Sequence, residues 1–311
     1  MDFLTNEYSF KSASGLCDIY AQSASPADYG SVKGVVQITH GMAEHSNRYG
    51  RFAVELCKNG YGVFICDLLG HGNSVSDDSE LGYFGENGVE SLVDDMKQLN
   101  DIARREYPGL PVYLFGHSMG SLAVRAYAAH HDSCMDMLIV CGSPSYNVFR
   151  PVGVALAKAG KTVFGPKHSA GLIEMMSFGS YAMHFKKEKN RFSWICSDPQ
   201  VVQDYSDSEY CGFTFTDDAY LALFDLMKRA YDVKHWKCTK PEMPVLFISG
   251  AEDPCMGNVR QFAKAVRAMR CAGYRDVRGK LYPGMRHEIL NEKDKEKVYH
   301  DIFTYICKKG L

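Results

Sequence analysis

The stretch VYLFGHSMGSLAVRAYAAHH, residues 112–131, decides the fold. Residues 112–115 form a short apolar run suited to a buried strand, and SLAVRAYAAH (121–130), after Gly120, reads as a helix. Between them lies Gly116-His117-Ser118-Met119-Gly120, a G-x-S-x-G sequence. A strand that turns straight into a helix through this motif carries its serine on a strained turn, with the hydroxyl presented at the helix N-terminus. The helix dipole favours negative charge developing there, and the Met119 N–H is aimed at the same place. Gly116 and Gly120 allow neighbouring backbone to approach without a Cβ. Ser118 is therefore the candidate nucleophile.

Outward from this point the chain alternates. Further apolar runs occur at 34–40, 61–67, 137–143, 245–250 and 277–284. All but the last are nearly continuous hydrophobics, as central parallel strands covered on both faces require. Helical periodicity falls between them at 48–59, 88–106, 119–131, 256–272 and 293–308. Alternating strands and helices predict an α/β fold, a mostly parallel doubly wound sheet. SFKSASGLCDIYAQS (9–23) alternates more loosely and predicts an antiparallel edge hairpin. Residues 147–236 break the rhythm; ninety residues between two strands are too many for a loop and predict an inserted, mostly helical cap. The expected organisation is a core of residues 1–146 and 237–311 interrupted by a cap of 147–236.

The chain has 311 residues, a formal net charge of -2, 46% hydrophobic and 23% charged residues, so it can bury a large core and has no basic excess for nucleic acid. Its 11 cysteines are odd in number, scattered, and form no CxxC pair; they read as buried free thiols, hence a reducing compartment. The start of the sequence has no basic, apolar leader pattern, and no stretch of about 18 apolar residues occurs. The expected location is cytoplasmic.

A serine nucleophile needs a base and an acid to orient it, in chain order Ser, acid, His for this elbow. His287, in LYPGMRHEIL just past the last strand, lies at the carboxyl edge of the sheet, where sites form in open α/β sheets. The acid should end the preceding strand, where VLFISG runs into Ala251-Glu252-Asp253-Pro254. Asp253 is favoured over Glu252, and the earlier strand ends Cys141-Gly142-Ser143 without a carboxylate. A second oxyanion donor should come from the loop His40-Gly41-Met42-Ala43-Glu44-His45, with Gly41 turning the chain and the Met42 N–H donating alongside that of Met119. His40 shapes this loop rather than binding a metal, and His71, in the Gly70-His71-Gly72 turn, supports it from below. No cluster has convincing metal spacing and no cofactor motif is present.

Taken together, HGMAEHSNRYG, DLLGHGNS, GHSMGS, SGAEDPC and LYPGMRHEIL resemble the monoacylglycerol lipase and lysophospholipase branch of the α/β-hydrolases, also labelled serine aminopeptidase S33 or hydrolase 4. The resemblance runs from about residue 10 to 308 and is weakest in the cap. It implies an α/β-hydrolase fold, a Ser118–Asp253–His287 triad and oxyanion donors at Met42 and Met119. Two positions depart from the family pattern: Ala43 stands where a glycine is common, and Leu68-Leu69 replace a turn that usually carries arginine.

The resemblance implies a serine ester hydrolase acting on a single-chain lipid ester, a monoacylglycerol or lysophospholipid. The alternatives are a short-chain esterase, an aminopeptidase or amidase using Asp204, Asp207 or Glu209 to hold an amine, and a hydrolase-fold receptor. The cap's large apolar residues, among them Phe149, Val163, Phe164, Met175, Met176, Phe178, Tyr181 and Met183, suit either packing on one another and on the core or an acyl tunnel. An amphipathic cap could also make a transient membrane contact, and Lys186, Lys187, Lys189 and Arg191 form a charge run that is either simply solvated or turned toward anionic headgroups. A homodimer is left open.

Overall fold

The computed structural model describes residues 3–309. Eight strands form one sheet: β1 (Phe3–Lys11), β2 (Asp18–Pro26), β3 (Gly34–Thr39), β4 (Tyr61–Cys66), β5 (Val112–His117), β6 (Met137–Cys141), β7 (Val245–Gly250) and β8 (Val277–Tyr282). Their order is β1-β2-β4-β3-β5-β6-β7-β8. Strands β3 to β8 run parallel, while the β1–β2 hairpin joins antiparallel to β4 at one edge. Every residue of β3 to β7 is buried, which is why those runs are continuously apolar; β8 closes the other edge and alternates with exposed residues.

The two faces divide each strand residue by residue. Val112 and Leu114 of β5 join the core beneath α2 (Gly88–Glu106), α3 (Met119–His131) and α8 (Val259–Cys271). Tyr113 and Phe115 point the other way, to α1 (Gly50–Lys58) and α9 (Lys295–Lys309). The chain moves from β3 out to β4 and then back across to β5, so the loops after β3 and β5 lie side by side with Thr39 in register with Gly116. That reversal opens the crevice in which sites form on such sheets.

Between β6 and β7 lie four helices: α4 (Arg150–Phe164), α5 (Gly171–His184), α6 (Pro199–Asp207) and α7 (Asp217–Tyr231). Helix α7 belongs with the main core, since Tyr220, Leu223, Leu226 and Met227 are buried in the same cluster as α3. By contrast α4 buries only Ala157 and α5 only Ile173. All eleven cysteines are free, six of them buried. Among the described residues no helix is long and apolar enough to cross a membrane.

Candidate active site

Ser118 sits between the end of β5 and the start of α3 with φ +52 and ψ -120, a conformation that non-glycine residues rarely adopt. The strain is held from several sides. Its N–H donates to the Cys141 carbonyl at 3.0 Å, and its carbonyl accepts the Ser121 N–H at 2.9 Å and hydroxyl at 2.5 Å. The flanking glycines are obligatory here. A Cβ on Gly120 would lie 2.3 Å from the carbonyl oxygens of both Thr39 and His40, and one on Gly116 would lie 2.4 Å from the Gly120 oxygen.

The structure brings His287 and Asp253 together. His287 Nδ1 donates to Asp253 Oδ2 at 3.0 Å, and both residues are buried. Asp253 also accepts the Ser249 hydroxyl at 2.9 Å and the Cys255 N–H at 2.8 Å, so three donors fix its carboxylate. Glu252 is exposed. Burial pulls the His287 pKa down, but the Asp253 charge and hydrogen bond, helped by Glu288 and Glu44, outweigh it and hold the pKa above its ordinary value. Donor atoms of Asp253, Cys255 and His287 lie within 4.8 Å of one another. Burial, with the Asp253 charge second, keeps the Cys255 thiol protonated, and the other two already hold each other; this is a poor host for a cation.

The loop after β3 passes directly over the elbow, where a Cβ on Gly41 would lie 3.0 Å from Ser118 Cβ. Met42 and Met119 line the same cavity as Ser118 and His287. Among the described residues neither of their backbone N–H groups donates to a protein acceptor, and the Ser118 hydroxyl makes no hydrogen bond either. Hydrogen bonds of this kind commonly tighten only when substrate is bound.

Two buried histidines brace this loop, and their partners leave no free ring nitrogen for a metal. His40 Nδ1 donates to the Gly41 carbonyl at 2.8 Å, and its Nε2 accepts the Leu68 N–H at 2.8 Å. His71 Nδ1 donates to the Leu69 carbonyl at 3.0 Å, and its Nε2 accepts the Ala43 N–H at 3.2 Å. Burial, then the neighbouring His40, drives the His71 pKa down to about 3, so it stays neutral in this role. Leu68 and Leu69 thus serve the loop through backbone. Ala43 has φ +49, which explains why a glycine suits that position; its carbonyl accepts the Gly212 N–H at 2.9 Å and the Tyr205 hydroxyl at 2.8 Å.

Glu44, Arg48 and Tyr49 lie in the HGMAEHSNRYG stretch, whose likeness to the family assigns them no task, and nothing in the sequence singles out Glu288 or His117. The structure joins them into one buried network. Glu44 Oε1 accepts the Gly41 N–H at 2.5 Å, the Tyr49 hydroxyl at 2.8 Å and His117 Nδ1 at 3.2 Å. Its Oε2 accepts Arg48 at 2.8 Å, and Arg48 in turn grips Glu288 at 2.6 and 2.7 Å. Burial pushes the Glu44 pKa up, but the His117 hydrogen bond and the Arg48 charge prevail and hold it well below the usual carboxylate range.

The cavity measures about 760 Å³. Phe149, Met175, Phe178 and Tyr181 line it, together with Leu223 and Phe224 of α7's buried side. Val163, Phe164, Met176 and Met183 do not; they are 70%, 69%, 55% and 70% exposed and face solvent. Trp194 covers His287 with ring centroids 5.1 Å apart. Asp204 and Asp207 bond to Gln200 and Gln203 on the exposed face of α6, and neither they nor Glu209 line the cavity. Arg191 lines it, whereas Lys186, Lys187 and Lys189 are exposed.

A family model described as serine aminopeptidase, S33, matches residues 30–294. The chain is 38% identical over 288 residues to the monoglyceride lipase of Homo sapiens, covering 90% of this chain and 84% of that one. It is 28% identical over 308 residues to the monoacylglycerol lipase of Mycolicibacterium smegmatis, covering 97% and 96%. Among solved structures, a thermostable carboxyl esterase from Bacillus coagulans in complex with glycerol superposes with a TM-score of 0.88 at 27% identity, covering 100% of both chains.

Proposed function

The chain belongs to the serine aminopeptidase, S33, family of α/β-hydrolases and is a carboxylic ester hydrolase, and from that premise we propose that its substrate is a single-chain lipid ester, a monoacylglycerol or lysophospholipid, cleaved by Ser118, His287 and Asp253. One observation carries this reading: a strained serine at a strand–helix elbow opens into the same apolar-walled cavity as a buried histidine bonded to a buried aspartate.

In the proposed reaction Ser118 Oγ attacks the ester carbonyl while His287 Nε2 takes its proton. Asp253 keeps the proton of His287 on Nδ1 and stabilises the imidazolium. The N–H groups of Met42 and Met119 receive the oxyanion. The imidazolium then protonates the leaving alcohol. Water, deprotonated by the same base, attacks the acyl-enzyme and returns Ser118.

Within the insertion 147–236, α4, α5 and α6 act as a cap that shapes the acyl site, while α7 is built into the core. Val163, Phe164, Met176 and Met183 are apolar residues exposed on α4 and α5, followed by the exposed Lys186, Lys187 and Lys189. This surface docks transiently on a lipid membrane to collect substrate. Eleven free cysteines support a reducing, cytoplasmic setting. Asp204, Asp207 and Glu209, the acids read from sequence as holding an amine, lie outside the cavity, although Glu174 lines it, so the apolar wall rather than the absence of acids favours an ester over an amine-directed substrate.

The test is a panel of soluble and lipid esters from C2 to C18 with wild type and Ser118→Ala. The apolar wall should raise kcat/KM about fourfold per methylene until the cavity is filled, from about 0.8 kcal/mol per buried CH₂. Residual activity in Ser118→Ala, or a sharp preference for C2 to C4, would refute the assignment of nucleophile or of substrate respectively.

A further inference from the structure

His287 is flanked by two charged residues that run in opposite directions. Glu288 reaches Arg48 beneath the oxyanion loop. Arg286 reaches into the stretch that follows α5. Its guanidinium donates to both Glu188 carboxylate oxygens at 2.7 and 2.5 Å and to the carbonyls of Ser193 and Cys196 at 2.5 and 3.1 Å. The same group lies 4.1 Å from the centre of the Phe185 ring. Backbone bonds join the two stretches as well: the Glu288 N–H donates to the Ile195 carbonyl at 2.7 Å, and Glu292 accepts the N–H groups of both Arg286 and Ser197, at 2.8 and 3.0 Å. Immediately upstream of this clamp, α5 supplies Met175, Phe178 and Tyr181 to the cavity wall, and within it Trp194 lies against His287.

We propose that Arg286 is a positioning residue that makes the placement of His287 depend on the seating of residues 185–197, and through them on the α5 wall that touches substrate. This inference rests on the Ser118–His287–Asp253 reading. The planar guanidinium suits the task. Its fork engages one carboxylate and two carbonyls at fixed angles, so a shift of the wall moves the backbone next to the base rather than being absorbed by a flexible stem. Displacements near 1 Å in a reacting group are worth about 100-fold in rate. The chemistry is thereby tied to a filled cavity: substrate packing against Phe178 and Trp194 seats the stretch, the stretch holds Arg286, and Arg286 holds the base.

The test reads activation of Ser118 directly, through the rate of its reaction with a fluorophosphonate probe, alongside kcat and KM on a soluble p-nitrophenyl ester. Arg286→Ala should slow labelling about tenfold and lower kcat in parallel, with KM within about twofold. Arg286→Lys should recover only part of the rate. Glu188→Ala, at a side chain that is 45% exposed, should slow labelling by a similar factor, and the double variant should be no slower than Arg286→Ala alone. Folded Arg286→Ala or Glu188→Ala protein labelling at the wild-type rate would overturn the proposal, as would losses that multiply in the double variant. Wild-type protein that does not label would overturn the Ser118 reading, and this inference with it.

Discussion

Replacing Glu44 with alanine tests the network under the oxyanion loop most severely. Four donors converge on this carboxylate: the Gly41 N–H, the Tyr49 hydroxyl, His117 Nδ1 and Arg48. Arg48 retains Glu288, but the Gly41 N–H and the Tyr49 hydroxyl lose their acceptor in the interior. At about 1–3 kcal/mol for each orphaned group, the alanine variant should lose about 4 kcal/mol. An unfolding entropy of about 2.1 cal/mol/K per residue over 311 residues converts this to a Tm fall of about 6 °C. Glutamine keeps one oxygen for the first three donors and turns its amide toward Arg48. It forfeits one charged hydrogen bond, about 1.5–3 kcal/mol, and should lower Tm by about 2–5 °C. Activity is affected because the Gly41 N–H precedes the proposed Met42 donor. Losing that donor outright would cost about 10²–10³ in kcat, so a loosened loop in Glu44→Ala should cost about 10–100-fold, and Glu44→Gln less. The sign of the pH effect is fixed. The folded pKa of Glu44 lies below its unfolded value, so its stabilisation is complete above the ordinary glutamate pKa and is lost as pH falls through the folded one. Glu44→Gln should therefore narrow its stability gap to wild type in acid. Thermal unfolding by circular dichroism and turnover of a soluble ester measure both effects. An alanine variant within about 1 °C and twofold of wild type would refute the reasoning.

Other outcomes follow from the same geometry. The raised pKa of His287 places the acid limb of kcat/KM above pH 6.5, because the base works only when neutral; Asp253→Asn should move that limb down and lower its plateau, as a pH–rate profile will show. Gly120→Ala puts a methyl 2.3 Å from two carbonyl oxygens and should destabilise by about 3 kcal/mol or more, read as a Tm drop with weakened probe labelling. Val163→Asp, at a 70% exposed position outside the cavity, should reduce cosedimentation with anionic phospholipid vesicles while soluble-ester turnover is unchanged; unaltered cosedimentation would count against the docking surface.

The parallel sheet was legible because strands covered on both faces must be apolar throughout, and the helices at 88–106 and 119–131 fall where their periodicity places them. The elbow was legible because its glycines answer to backbone contacts that no other residue allows. The sorting of the cap's apolar residues was not. GLIEMMSFGSYAMH is apolar around much of its circumference, so sequence could not show that Phe178 would line the cavity while Met176 would meet solvent. The Glu44–Arg48–Glu288 network was hidden for another reason. Charged residues in loops read as solvated until the fold joins positions 240 residues apart, and only the spacing of HGMAEHSNRY hinted at it.

Ala43 sets a boundary on how this protein can be re-engineered. Its left-handed backbone is secured from one side by His71 of the core and from the other by Tyr205 and Gly212 of the inserted segment. The segment is therefore not a detachable cassette. A chimera that imports residues 147–236 from a relative also imports that relative's donors to the Ala43 carbonyl, and with them a different set for the loop over Ser118. Exchanging the part that recognises the acyl chain would retune the part that stabilises the oxyanion, unless Tyr205 and Gly212 are carried across unchanged.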